Sequence, residues 1–252
     1  MGLYGDAVQE IDWSVGQILQ SLKDNGIDNN TMVIFTSDHG PWFQGSPGRL
    51  RGRKWSTYEG GVRVPFIVRF PGQIPIANRI FQRATTGSTA GRVSNAVVSA
   101  MDILPTLARM AGATVPAPLD GIDIGPILTA QVDSIDRDVI LHFNNWDLQC
   151  ANYGPWKLHI ARTSNFPWGP APIGGTYNLT LPSPELYNVE TDPDESCDVA
   201  PANPAIVAQI TARVQALLPT FPSDVTNAWK YTQSLSVQGM NIGALPALAT
   251  SS

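Results

Sequence analysis

The chain has 252 residues, 43% of them hydrophobic and 15% charged, with 22 Gly, 21 Pro and a formal net charge of −5. That length buries a sizeable core as one large domain or two small ones, and the Gly and Pro content predicts many loops ordered by packing. The acidic balance excludes a nucleic-acid-binding class, and no apolar run approaches a membrane span.

Residues 6–23 predict a helix, because Val8, Ile11, Val15, Ile18, Leu19 and Leu22 recur at three- and four-residue spacing and line one face. Asn25-Gly26 supplies the stop. Acids within residues 1–20 argue against a signal peptide, so the compartment stays open; a periplasmic or secreted parent with a start upstream is compatible.

Thr31–Thr36 is a short β-rich apolar run that predicts a buried strand, and it ends in Ser37-Asp38-His39-Gly40. Polar residues just past a strand's carboxyl end are a usual ligand position in α/β sheets. Asp38 and His39 can both reach one cation there, the carboxylate suiting calcium and the imidazole widening the choice to manganese or zinc. Taken alone, the dipeptide better suits a turn cap beside a surface histidine.

Residues 40–63 are rich in Gly, Arg, Trp and Tyr and predict a long loop of the kind that is either functional or disordered. Its basic run, Arg49-Leu-Arg-Gly-Arg-Lys54, can hold an oxyanion, with Lys54 as a point charge or proton donor to a leaving group; a solvated rim is the plainer alternative. Trp42, Phe43, Trp55 and Tyr58 can line a substrate mouth or pack in a core.

Residues 64–70 predict a second strand, 93–100 an extended segment or strand, and 101–110 a helix with Pro105 in its first turn. Composition shifts after about residue 130. Residues 139–143, 156–161 and 185–189 are short strand candidates, and 204–218 is a helix with Ile206, Val207, Ile210, Val214 and Leu217 on one face. The expected division is 1–135 as an α/β core domain, 136–225 as a small α+β module, and 226–252 as a poorly ordered tail. Cys150 and Cys197 allow one disulfide or two thiols. No GxSxG elbow is present, and three histidines (His39, His142, His159) make a serine-hydrolase triad a weak reading.

Taken together, Thr31–Trp42, Arg49–Lys54 and Tyr58-Glu-Gly-Gly-Val-Arg-Val-Pro-Phe66 through Gly72 resemble the sulfatase family. Asp12–Gly16, Met101-Asp-Ile-Leu-Pro-Thr-Leu107, Gly121-Ile-Asp123, Trp156-Lys-Leu-His159 and Glu185–Glu195 are similar to further landmarks of it, so the resemblance spans about residues 3–215 and corresponds to the family's carboxyl-terminal half.

The resemblance implies part of an alkaline-phosphatase-like α/β core sheet with helices, followed by a small antiparallel α+β module. It implies hydrolysis of aryl or carbohydrate sulfates through a formylglycine nucleophile. Asp38 matches a family metal ligand, with His39 beside it, so Ca2+ is the expected ion and Mn2+ the alternative. Lys54 matches the lysine that contacts sulfate, with Arg53 and Trp42 as neighbouring substrate contacts. The formylglycine motif is absent from these residues. Two ligands fall short of the six or more oxygens a hard cation takes, and catalytic groups that act as a unit fail together. The expectation is therefore no ordinary turnover by this chain alone, with an amino-terminal half or a second copy as partner. Two rivals stand beside it: a non-catalytic anion- or metal-binding module, and a hydrolase of another ester class.

Overall fold

A computed structural model of the chain describes residues 2–74, 93–144, 147–163 and 178–237. In chain order the elements are α1 (Leu3–Asp24), β1 (Val33–Thr36), α2 (Glu59–Val62), β2 (Phe66–Arg69), α3 (Ile103–Met110), α4 (Gly125–Leu128), β3 (Ile140–Asn144), β4 (Asp147–Tyr153), β5 (Trp156–Thr163), β6 (Asn178–Asn188), α5 (Pro204–Leu217) and α6 (Ser223–Val237). Contacts divide the chain into two units, Met1–Ser37 with Pro65–Arg137, and Asp38–Val64 with Asp138–Ser252. The loop expected in a core domain of residues 1–135 thus groups with the carboxyl-terminal module instead. Polar contacts described below explain that regrouping.

In the first unit α1 carries Asp6 in its first turn and Lys23 in its last, each complementing the helix dipole. Gly26 follows at φ 67°, a left-handed conformation that ends the helix. The apolar face read from the sequence is present, yet none of its side chains is buried within the described residues. β1 and β2 pair antiparallel, Val33 opposite Arg69 and Thr36 opposite Phe66. β1 is half-buried at one end and exposed at the other, where the sequence predicted full burial, because β2 is its one strand neighbour among the described residues. Arg69 clamps Asp28 through two hydrogen bonds of 2.6 and 2.8 Å, and this guanidinium holds the Asp28 carboxyl below its ordinary range. Residues 93–99 run without strand pairing into a short 3-10 turn, Ala100–Asp102, which precedes α3. Ser99 and Asp102 form a capping box there, and buried Asp102 also accepts from the Ile122 amide and the Arg137 guanidinium. The Ile124 amide donates to Thr106, so the two later sequence landmarks are joined by hydrogen bonds.

The second unit is built on an antiparallel sheet ordered β3-β4-β5-β6. Alternation along β5 sends Leu158 and Ile160 to one face and Lys157 and His159 to the other. Leu158, Ile160, Ala151 and Leu186 form a core with Ile210 and Val214 of α5 and Val225 and Trp229 of α6. β4 was not anticipated from the sequence. A register shift between His142 and Phe143 leaves Gln149 unmatched between the pairs His142–Cys150 and Phe143–Leu148, which breaks the alternation that identifies a strand. The poorly ordered tail expected from residue 226 is helical in α6 to Val237, with Val225 and Trp229 buried; residues 238–252 of that expectation lie outside the described residues. Cys150 and Cys197 are both free thiols, the first buried and the second exposed. No described helix is long and apolar enough to cross a membrane.

Candidate metal and anion site

Asp38 and His39 lie at the start of the second unit, two and three residues past the end of β1. The Asp38 carboxylate accepts from the His39 amide at 3.0 Å, as a turn cap does, and its second oxygen lies 3.0 Å from His39 Nε2. His39 Nδ1 is 2.9 Å from the Gly40 carbonyl. Since a carbonyl only accepts, Nδ1 carries the proton in this contact, which leaves Nε2 facing a carboxylate. The pair is solvent-accessible, with side-chain exposures of 79% for Asp38 and 38% for His39. Among the described residues no third acid, His or Cys joins them.

The loop's backbone fastens the main chain of Lys54 to the segment just after this dipeptide. The Lys54 amide donates to the Pro41 carbonyl at 3.1 Å, and the Gly40 amide donates to Gly61 at 2.8 Å. Gly40 leaves no room for a side chain, since a Cβ would sit 1.8 Å from the Gly60 carbonyl oxygen. The Arg53 guanidinium donates to the Trp42 carbonyl at 3.1 Å and to the Gly45 carbonyl, so it braces the loop from within. Trp42 packs on Phe43 with ring centroids 4.8 Å apart. Trp55 is 58% exposed at φ 77°, an uncommon backbone for a bulky residue and one held here beside Lys54. Tyr58 is not part of an open mouth: it is 3% exposed, lying 5.0 Å from the His159 ring with Arg51 stacked over it.

Beneath the loop lies a buried charge cluster that sequence reasoning missed. Lys157 Nζ sits 2.9 Å from Glu59 Oε1 and 3.4 Å from Glu195 Oε1, and His159 Nε2 sits 2.6 Å from Glu195 Oε1. Lys157, His159 and Glu195 have no accessible surface and Glu59 has 6%. Glu195 Oε2 accepts the Glu59 amide at 2.6 Å, and its main-chain carbonyl accepts Arg51 at 2.9 Å. Thr57 donates to buried Gln149, and the Cys150 thiol donates to the Thr57 carbonyl. Burial opposes charge on Lys157, but its neighbours outweigh this and hold it above the ordinary lysine range. Burial likewise pushes the Cys150 thiol up to about 12, so Cys150 is neutral and the two carboxylates are the groups that hold the ammonium. Burial raises Glu195, and the bond from His159 with the nearby Lys157 charge reverses this, for a net depression.

The family profile named Sulfatase matches residues 1–113. Human steryl-sulfatase is 34% identical over 233 residues, which cover 80% of this chain and 37% of that protein. The chain belongs to the sulfatase family over the part it spans. Human arylsulfatase A is 31% identical over 243 residues, covering 89% of the sulfatase-family chain and 45% of the relative. Among solved structures, the PsFucS1 sulfatase from Pseudoalteromonas sp. superposes at a TM-score of 0.71 and 28% identity, covering 85% of this chain and 42% of that one. The chain therefore spans less than half the length of these relatives. Its fold is partial alkaline-phosphatase-like, mixing helices with antiparallel sheet, as the sequence resemblance implied.

Proposed function

We propose that this chain forms the metal- and sulfate-contacting part of a sulfate-ester hydrolase acting on an aryl or carbohydrate sulfate. The observation that supports this reading is the loop closure that ties the main chain of Lys54 to Pro41 and of Gly40 to Gly61, next to Asp38 and His39 in sequence. Asp38 and His39 would hold a divalent cation, Ca2+ or Mn2+, and their 3.0 Å approach suits two donors on one ion. Such an ion supplies charge neutralisation for sulfate oxygens. Lys54 would stabilise the anion and give a proton to the leaving oxygen, while Arg53 sets the loop around it and Trp42 flanks it.

Two donors supply only part of a hard cation's coordination, and among the described residues no third acid, His or Cys joins them. With the formylglycine motif absent from the 252 residues, turnover would depend on sequence that carries it, such as an amino-terminal half paired with this one. Leu3, Val8, Ile11 and Ile18, exposed along α1, support such pairing. The incomplete donor set also favours a second reading, a non-catalytic module that binds metal or anion. Hydrolysis of a chromogenic aryl sulfate, with Ca2+, Mn2+ or chelator, tests the first. The chain alone is expected to show no turnover and to bind Mn2+; metal-dependent turnover abolished by Lys54→Ala would reveal a nucleophile within these residues. Activity that survives Lys54→Ala and chelation would sink the assignment altogether.

A further inference from the structure

We infer that Glu195 is a positioning residue for the loop that carries both halves of the candidate site. α2 is the hub of that loop. The Gly60 amide donates to Arg51, three residues before Lys54, at 2.7 Å, and the Gly61 carbonyl accepts Gly40, next to His39, at 2.8 Å. One end of the hub is fixed by Glu195 Oε2 on the Glu59 amide, and the Glu195 carbonyl takes Arg51 from the other side. A single residue thus restrains the segments that hold Lys54 and His39 at once.

Glu195 is itself held on three sides. Its Oε1 receives His159 at 2.6 Å and Lys157 at 3.4 Å, both from the floor of the sheet. Its backbone sits at φ 49°, left-handed for a residue with a side chain, and its amide donates to the Asp192 carbonyl. The Asp192 carboxylate accepts the Ser196 and Cys197 amides, which closes the turn that presents Glu195 inward. A strained backbone, a fully buried carboxylate and a bond to a loop amide over a hundred residues away make a device for fixing one geometry.

What the loop positions rests on the sulfate-ester reading, whereas the restraint itself does not, and the test separates the two. Amide hydrogen exchange on the whole chain is compared for wild type, Glu195→Ala and Glu195→Gln, with Mn2+ affinity measured in parallel by electron paramagnetic resonance. In Glu195→Ala the Gly40, Lys54, Gly60 and Gly61 amides are expected to exchange at least tenfold faster, with the β5 amides of Leu158 and Ile160 unchanged. Mn2+ should bind at least tenfold more weakly. Glu195→Gln keeps an acceptor for the Glu59 amide and should recover most of both losses. Glu59→Gln guards against a folding defect: it keeps the amide that Glu195 grips, so the loop amides should stay within about threefold of wild type. Unchanged loop amides in Glu195→Ala, or an equal rise across β4, β5 and β6, overturns the inference. A wild type that never binds Mn2+ while the exchange pattern holds removes the metal reading and leaves the positioning role standing.

Discussion

Lys157→Met tests the buried charge cluster most directly. Methionine keeps most of the unbranched stem, so the packing of Lys157 against the sheet survives and what disappears is the ammonium. Left behind are two carboxylates that met it at 2.9 and 3.4 Å, Glu59 and Glu195, with His159 still on Glu195. An exposed ion pair would contribute about 0–1 kcal/mol. Removing one partner from a buried group instead leaves uncompensated charge, at about 3–5 kcal/mol. With Lys157 fully buried the larger figure applies. Urea unfolding followed by tryptophan fluorescence at neutral pH reads the difference. Adding Glu59→Gln to Lys157→Met neutralises the carboxylate that has lost its partner and should restore roughly half of the loss, a non-additivity expected of groups in contact. A loss below about 1 kcal/mol for Lys157→Met, or no rescue by the second substitution, would refute the claim that the cluster is a desolvated unit.

Burial drives the His142 imidazole from its ordinary 6.5 down to about 3, so the folded chain resists a proton that the unfolded chain accepts. Stability should therefore fall with pH below about 6.5 at about 1.4 kcal/mol per unit until pH 3, and His142→Gln should flatten that slope in an unfolding series from pH 7 to 4. Glu195 has the same acid sign, since a depressed carboxyl stabilises above its unfolded range and loses that contribution as pH falls; raised Lys157 contributes below the usual lysine range and loses it only in strong alkali. Ile210, fully buried between helix and sheet, should cost about 2–5 kcal/mol on truncation to Ala, measured by the same urea assay, with Mn2+ binding at low denaturant unchanged.

Much of the frame was legible because local pattern and tertiary environment agree. The 3.6-residue spacing of Ile206, Ile210, Val214 and Leu217 marks α5, and two of those residues are among its buried ones. α6 was unreadable for the opposite reason: a polar helix that buries Val225 and Trp229, four apart, offers one narrow stripe and little moment. The same logic divides the site. Asp38, His39 and Lys54 stand within seventeen consecutive positions and are visible as a motif. Lys157, His159 and Glu195 lie about a hundred or more positions from Glu59, and nothing local links them. One signal was available: in Trp156-Lys-Leu-His-Ile160 the polar residues occupy the face opposite Leu158 and Ile160. That predicts a charged sheet face, which requires either solvent or a polar cover.

The cover is a segment poorly suited to hydrophobic attachment, which explains why charge holds it. Residues 38–64 are dominated by Gly, Arg and small polar residues, and Tyr58 is the large apolar ring they bury. Gly40, Gly60 and Gly61 bring backbone against backbone so closely that an added Cβ would collide within 1.8–2.4 Å of a carbonyl oxygen. Packed backbone must have its amides satisfied, and side-chain acceptors provide this with a directionality that apolar contact lacks. Loop geometry is therefore set by electrostatics on one face of the sheet, while both that face and the α5–α6 core on the other contribute to stability. The two faces should respond separately: Ile210→Ala lowers stability while the loop stays ordered, whereas Lys157→Met disorders the loop, and the double variant should be additive to within about 0.5 kcal/mol. Strong coupling between those substitutions would mean that the sheet transmits strain from one face to the other, and that loop and core are a single cooperative body.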